Sequence, residues 1–402
     1  MQRALKVVRY LREDGWQPIV LTVDARAYSK TNTSQLAEIP PDVPVCRAFG
    51  LDATRHFAIR GRYLGFLAWP DPWVSWWPAA VWAGRRLIRR HQPCAIWSTF
   101  PITTTNLVAM HLARWSRLPW IADLRDPMTL DGYPADPMRF RYARWIERKT
   151  VDLASHVVFT AEYTRRIYAE RYPGLDERSV LIPNGYDESN FPDHTGRNRI
   201  PNERLTLLHS GALQPKGRNP RTFFEALKKL KKAARISSSS LRIVFRACGF
   251  EQQYREMAEL LSVADLVAFE GHLPYDQAIS EMVDADGLLI FQGSIYNHAV
   301  PAKVYEYFFA RRPILGILDK TGETQRVLQN VGIKSTASID NAEEIADHLG
   351  DFIDNLAGDS YFLPARSLIE SFSRQKQTQK LSAVLRQVAS DQAGLAGAGG
   401  PT

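Results

Sequence analysis

Two stretches of the 402-residue chain place residue types where they could hold phosphate. LHSGALQPKGRNP (208–220) reads as a strand, a glycine-containing loop opening at Gly211, and the start of a helix. A helix N-terminus presents free N–H groups and the positive end of a dipole. Lys216 and Arg218 add two side-chain cations. Their plainer reading is solvated loop charge. In VPAKVYEYFFARRPIL (300–315), Pro301 suits the first turn of a helix. The N–H groups of Ala302, Lys303 and Val304 would then be free to meet phosphate. Glu306 lies one turn further in. An ionised carboxylate there is a hydrogen-bond acceptor, or simply a surface helix residue.

Other segments carry polar groups at strand ends. DLRDP (123–127) closes an apolar run and offers Arg125 and Asp126, either to a ligand or as an Arg–Asp pair fixing the loop. STFPITTTN (98–106) is a second strand-end loop rich in hydroxyls. GRYLGFLAWPDPWVSWWPAAVWAGRRLIRR (61–90) combines tryptophans with Arg85, Arg86, Arg89 and Arg90. Amphipathic aromatic and basic segments suit a bilayer interface; the competing reading is a buried helix with a soluble basic face. Such segments also stack nucleic-acid bases. No nucleic-acid-binding module is recognisable, so no nucleic acid is expected as partner.

The elements that must position these residues alternate in type. Short apolar runs (18–23, 95–100, 119–124, 156–161, 205–211, 241–249, 286–293, 312–318) are separated by segments of helical period (105–117, 138–153, 220–233, 251–263, 301–311, 342–356). Such alternation predicts parallel sheets covered by helices on both faces, an α/β class. NGYDESNFPDHTGRNRIPNER (184–204) is rich in turn formers and reads as linker. We expect two doubly wound, Rossmann-like domains: 1–185, a linker over 186–204, and 205–375. A terminal helix over 376–390 and a disordered tail over 391–402 follow. Ligands of such sheets sit at the carboxyl ends of the strands, so a cleft between facing domains is the expected site.

Composition narrows the class. Residues 1–185 hold 26 Lys+Arg against 17 Asp+Glu, while the whole chain carries a net charge of +8, so the excess positive charge lies in the first half. An anionic partner suits that half. Three cysteines without metal spacing argue against a zinc site and suit a reducing cytosol. The N-terminal segment lacks the apolar core of a secretory signal, and no run of 18 apolar residues is present. A cytoplasmic protein is expected, peripheral at most to the inner face of the plasma membrane. No GxSxG, HExxH, Walker A or GxGxxG pattern supports a hydrolase, metalloprotease, NTPase or dehydrogenase.

Taken in order, QRALKVVRYLREDGWQPIVLT, WPDPWVSWWPAAVWAG, WIADLRDP, VLIPNGYDESNF, HSGALQPKGRNPRTFFEAL and VPAKVYEYFFARRPIL resemble family 4 retaining glycosyltransferases of the GT-B fold. The match runs from Gln2 to about residue 375. The resemblance implies transfer of a sugar from a nucleotide-sugar donor to a glycan or lipid-linked acceptor, with retention of configuration, in cell-surface polysaccharide synthesis. It implies no cofactor and no metal. IPNGYDESNF (182–191) resembles the family's inter-domain signature. Lys216 and Arg218 would hold the donor diphosphate, with Ala212 where many relatives have arginine. Pro301, Ala302, Lys303 and Val304 would face phosphate, and Glu306 the ribose. Gly271, His272 and Leu273, in EGHLPYDQAISEMVDADGLLIF, would hold the nucleobase. The family pattern Glu-x7-Glu has His298 at its first position here, so His298 or Asn297 would contact the sugar. Arg125 and Asp126 are the acceptor-side candidates.

One element is out of place. A doubly wound domain opens with a strand, yet this chain opens with a helical segment, 2–14, so the first strand and its loop are expected to be missing. Two rivals remain: a sugar-nucleotide 2-epimerase of the same architecture, and an inactive truncated paralogue serving as a binding subunit.

Overall fold

A computed structural model describes residues 2–28, 38–60, 62–193 and 204–398. The chain folds as two compact units: Met1–Pro183 with Arg374–Thr402, and Asn184–Ser373. Unit 1 contains α1 (Gln2–Glu13), β1 (Val20–Val23), β2 (Val45–Ala48), α2 (Ala53–His56), α3 (Trp76–His91), β3 (Ile96–Thr99), α4 (Thr103–Ser116), β4 (Trp120–Leu124), α5 (Pro137–Leu153), β5 (His156–Phe159), α6 (Glu162–Arg171) and β6 (Ser179–Leu181). Unit 2 contains β7 (Leu205–Ser210), α7 (Arg221–Lys232), β8 (Leu241–Arg246), α8 (Glu251–Leu260), β9 (Val267–Glu270), α9 (Tyr275–Asp284), β10 (Gly287–Gln292), α10 (Ala302–Ala310), β11 (Ile314–Leu318), α11 (Glu323–Asn330), β12 (Thr336–Ser338), α12 (Ala342–Ala357) and α13 (Arg366–Glu370). The last helix, α14 (Arg374–Ala398), returns to unit 1.

Every strand pair is parallel. The six strands of unit 2 run in the order β12-β11-β10-β7-β8-β9. Successive residues of a strand point to opposite faces, and here both faces are covered. Leu207, Ile243 and Leu289 join one apolar cluster, and Leu208, Val244 and Leu288 join another. That double burial produces the continuous apolar runs in the sequence.

Unit 1 divides the same architecture into two sheets, β1-β2 and β3-β4-β5-β6. In unit 2 the first strand, β7, lies between β8 and β10. Among the described residues, no strand pairs with both β1 and β3 in the equivalent place. The helix α3 spans the division: Gly84 lies against Leu21 of β1 and Leu112 of α4, where a Cβ would be 2.5 Å from Leu112. Asp71 ties the preceding loop to α4 by accepting from the Thr104 amide at 2.6 Å.

The ends of the chain depart from expectation. The terminal helix is longer than 376–390, and the tail expected from 391 is helical through Ala398; residues 399–402 lie outside the described residues. Leu381, Val384, Leu385 and Val388 of α14 pack with Val7 and Leu11 of α1, and Trp16 Nε1 donates to Ser382 Oγ at 2.7 Å. The start of the expected linker belongs to unit 2. Tyr186 is buried, stacking on Phe309 of α10 at 4.3 Å; Phe191 meets the same ring edge-on at 4.7 Å. Residues 194–203 of that linker lie outside the described residues.

The loop after β4 is fixed by a buried carboxylate. Glu147 of α5 is completely buried. Its Oε2 accepts from the Thr129 amide, Thr129 Oγ1 and Tyr168 Oη at 3.0, 2.8 and 2.7 Å. Its Oε1 accepts from Arg144, Arg171 and Tyr172 at 2.8, 2.8 and 2.7 Å. Removing such a carboxylate strands its buried donors and cations. Glu147→Ala should lower the unfolding free energy by about 3–5 kcal/mol, read by urea denaturation; a loss below about 1 kcal/mol, the scale of an exposed pair, would contradict the role given to this network.

Candidate functional site

The order of unit 2 reverses between β7 and β10, its first and fourth strands. Connections leave adjacent strands there towards opposite faces, and the crevice at their carboxyl ends is where such sheets bind ligands. The loops at this point are 211–220, within the first stretch singled out from the sequence, and 293–301, which leads into the second.

The two loops are locked together. The Gly293 amide donates to the Gly217 carbonyl at 2.6 Å. Gly217 has φ +77°, and a Cβ there would lie 2.4 Å from Ile295; glycine is required both by the backbone and by the close approach. Tyr296 Oη donates to Gln214 Oε1 at 2.6 Å. Gln292, buried at the end of β10, donates to the Tyr296 carbonyl, the Ala299 carbonyl and Thr324 Oγ1 at 3.0, 2.7 and 2.8 Å. Its Oε1 accepts from Arg218 Nη2 at 3.2 Å.

The two loop cations are placed differently. The Arg218 guanidinium lies 4.3 Å from the Tyr296 ring centroid. Its enclosed Nε has no hydrogen-bond partner among the described residues. Burial lowers the Arg218 pKa from its ordinary value, although guanidinium stays charged in proteins. Lys216 is exposed, so solvated loop charge describes Lys216 and not Arg218.

Helix α10 begins beside this loop. The amides of Ala302 and Lys303 make no backbone hydrogen bond among the described residues, whereas the Val304 amide donates to the Pro301 carbonyl at 3.0 Å. The expected set of three free amides is therefore two, because the chain closes a turn on Pro301. The Lys303 side chain reaches back to β7. Its Nζ is 3.2 Å from His209 Nε2 and 3.2 Å from the place of a Cβ on Gly211, which has φ +104°. Burial and the charge of Arg218 push the Lys303 pKa down to about 7.

Glu306 is half-buried, and its Oε1 accepts from Tyr275 Oη at 2.7 Å. Tyr275 opens α9, directly after the 271–274 loop. Gly271 and His272 are exposed in that loop and Leu273 is half-buried. The loop is held by Arg246, which donates to the Gly271 carbonyl at 2.9 Å and pairs with Glu281 through two bonds of 2.8 and 2.6 Å. His298 is half-buried in the segment before Pro301. Asn297 beside it donates to Asp319 and Thr321 at 3.2 and 3.1 Å. Sequence reasoning missed His209, Tyr275, Gln292, Tyr296 and Arg246. A histidine inside an otherwise apolar strand was the one available signal, since a buried imidazole needs partners.

In unit 1, Arg125 and Asp126 are half-buried after β4. They form no ion pair with each other among the described residues, so the loop-fixing pair, one of the two readings of these residues, is not made. The buried acid is Asp123, bound by Arg3 of α1 at 2.9 and 3.1 Å and by Thr99 Oγ1 at 3.1 Å. Arg3 also donates to the Ile182 and Pro183 carbonyls at 3.1 and 2.9 Å.

The tryptophan-rich segment is divided between core and surface. Trp76 is buried, and Trp73 and Trp77 pack against the same cluster. The segment's most exposed apolar groups are Leu64, Phe66 and Trp82, at 63%, 57% and 64%. Arg86 lies over Trp82, and Arg85 and Arg89 over Trp115. Gly61 lies outside the described residues. Among the described residues, no helix is long and apolar enough to cross a membrane.

Residues 2–185 match the family model of the glycosyl transferase 4-like domain. No curated protein matches the chain in sequence. A glycosyltransferase from Rickettsia africae shares the fold with a TM-score of 0.67 and 14% identity, over 96% of this chain and 94% of that one. Anabaena HepE, solved with UDP and glucose, matches with a TM-score of 0.65 and 15% identity, over 96% and 95%. A UDP-N-acetylglucosamine 2-epimerase matches with a TM-score of 0.56 and 12% identity, over 94% and 91%. The chain therefore has the two Rossmann-like α/β halves of the GT-B fold, and its first half matches the model of the glycosyl transferase 4-like domain.

Proposed function

We propose that the chain is a retaining glycosyltransferase that moves a hexose-type sugar from a nucleotide-sugar donor to a glycan or lipid-linked acceptor in cell-surface polysaccharide synthesis. The observation that carries this reading is the β7–β10 switch point. One crevice edge gathers Arg218, Lys303 and two free helix amides, with Glu306 one turn in. Cations and amides suit a diphosphate, and the carboxylate suits the adjoining ribose diol.

The chemistry follows from that arrangement. As the bond between sugar C1 and the β-phosphate oxygen breaks, negative charge grows on the phosphate. Groups already oriented towards it stabilise the transition state more than the ground state. The acceptor oxygen bonds C1 on the same face, and its proton passes to the departing phosphate. The positive charge comes from the chain's own residues, so the proposed reaction needs no metal. Arg125 and Asp126 are assigned to acceptor recognition, and the 271–273 loop to the nucleobase.

The reading is tested by calorimetric titration with UDP-, GDP- and dTDP-sugars, followed by product analysis with and without acceptor lipid extracts. Binding of one donor and acceptor-dependent sugar transfer are expected. No binding across the panel contradicts the reading. Epimerised donor formed without acceptor favours the 2-epimerase rival, whose fold this chain shares. Glu306→Ala should retain the fold and weaken donor binding by roughly 1.5–3 kcal/mol, the scale of hydrogen bonds to a charged group. Unchanged affinity would remove Glu306 from the site.

We also propose that unit 1 meets the anionic inner face of the plasma membrane. Support comes from Leu64, Phe66 and Trp82, exposed in the same segment as the exposed Arg85, Arg86, Arg89 and Arg90. Each basic residue contributes about 1 kcal/mol at an anionic surface, and salt weakens the effect. Co-sedimentation should be stronger with anionic than with neutral vesicles and should fall with added salt. Equal partitioning onto both, or none on either, contradicts this placement.

A further inference from the structure

A cavity of about 670 Å³ opens in unit 1 at the amino ends of β4 and β5. Its size suits a small molecule. Its walls are the last turn of α4, the connection from α5 to β5, the 176–178 turn before β6, and α14. Arg125 and Asp126 follow the other end of β4, and the diphosphate crevice belongs to unit 2, so neither assigned site includes this cavity.

Its cations are of two kinds. Arg178 Nη1 donates to the Val151 and Ala154 carbonyls at 3.2 and 2.6 Å and so fixes the end of α5. Arg114 and Arg117 are exposed, three residues apart at the end of α4 and therefore neighbours on its surface. Their guanidinium groups make no ion pair and no hydrogen bond among the described residues. Cations there complement the negative end of the helix dipole, but that role calls for no cavity. His156 lines the same cavity. Its Nδ1 is enclosed and has no hydrogen-bond partner among the described residues, a costly state for a polar atom. Burial and the Arg178 charge hold the His156 pKa below its ordinary value; an anion beside the ring acts the other way.

The other walls offer acceptors. Glu177 of the turn and Asp391 of α14 line the cavity and form no ion pair among the described residues. Leu118, Leu153 and Val388 add apolar surface. Free guanidinium forks suit a phosphate monoester, which carries a charge of about −1.5 to −2 at neutral pH. Carboxylates accept from hydroxyl groups and repel a second anionic group. A ligand that satisfies both walls carries phosphate at one end and hydroxyls at the other.

We propose that this cavity binds a phosphorylated sugar, with its phosphate on Arg114 and Arg117 and its hydroxyls on Glu177 and Asp391. The site goes beyond the glycosyltransferase reading and does not depend on it.

The test is calorimetric titration of the full chain with glucose 1-phosphate, glucose 6-phosphate and fructose 6-phosphate, beside glucose and inorganic phosphate. The variants are Arg114→Gln, Arg117→Gln, their double variant and Asp391→Asn, with folding checked by circular dichroism. Wild type binds at least one sugar phosphate saturably, and more tightly than glucose or inorganic phosphate. Each arginine variant weakens that binding by roughly 10-fold, the scale of a hydrogen bond to a charged group. Asp391→Asn weakens the sugar phosphate and leaves inorganic phosphate unchanged. UDP does not displace the sugar phosphate. No binding across the panel overturns the proposal, as does unchanged binding in the double variant. Displacement by UDP overturns it by placing the ligand in the donor crevice. Inorganic phosphate bound as tightly as the sugar phosphate, or displacement by phosphatidic acid vesicles, whose phosphate comes without free hydroxyls, overturns the sugar half of the assignment. If an arginine variant does not fold, Gln387→Trp, an exposed position of α14 that lines the cavity, fills it instead and is read in the same way.

Discussion

A parallel sheet whose chain order reverses must open a crevice, because the helices following its two central strands leave towards opposite faces. In unit 2 those strands are β7 and β10. Each brings a turn-rich loop to the same edge, and much of the surrounding structure serves to hold the two loops against each other. Gly217 has no side chain, so Ile295 and Tyr296 can seat on it. Gln292 spends both amide hydrogens on carbonyls and a hydroxyl behind the loop while its oxygen holds Arg218. The result is positive charge fixed before any ligand arrives, which is what a developing phosphate anion rewards.

Helix α10 carries the other half of that edge and is supported from behind. Tyr186 and Phe191, from the segment that crosses between units, stack on Phe309. Tyr307 accepts from the Ser210 amide at 2.9 Å and so joins the helix to the end of β7. Unit 1 solves a similar problem with charge in place of rings. Glu147 and Asp123 are completely buried carboxylates, each saturated with donors, and they fix the strand-end loop that carries Arg125 and Asp126.

The sequence made the fold class legible because strands buried on both faces read as continuous apolar runs. The runs at 205–211, 286–293 and 312–318 coincide with β7, β10 and β11 to within two residues. The short strands β2, β9 and β12 escaped notice: their residues are mostly half-buried and mixed in character. The return of α14 to unit 1 had no local signal, since contact between α1 and α14 joins segments at opposite ends of the chain. In the site, glycines and helix-start residues were legible because backbone geometry demands them. The partners that aim them were not. His209, Gln292 and Tyr275 act through contacts across elements, which periodicity does not encode. The tryptophans were ambiguous for a related reason: ring-plus-arginine composition is the same for a membrane face and for a helix that buries Trp76 and exposes Trp82.

The central claim is that the β7–β10 edge of unit 2 holds the donor's diphosphate. A crystal structure of the chain with a bound nucleoside diphosphate tests it most directly. The account predicts the β-phosphate within hydrogen-bond distance of the Lys303 ammonium and the Ala302 amide, and the ribose hydroxyls on Glu306. A nucleotide bound away from this edge, or with its ribose turned from Glu306, would contradict it.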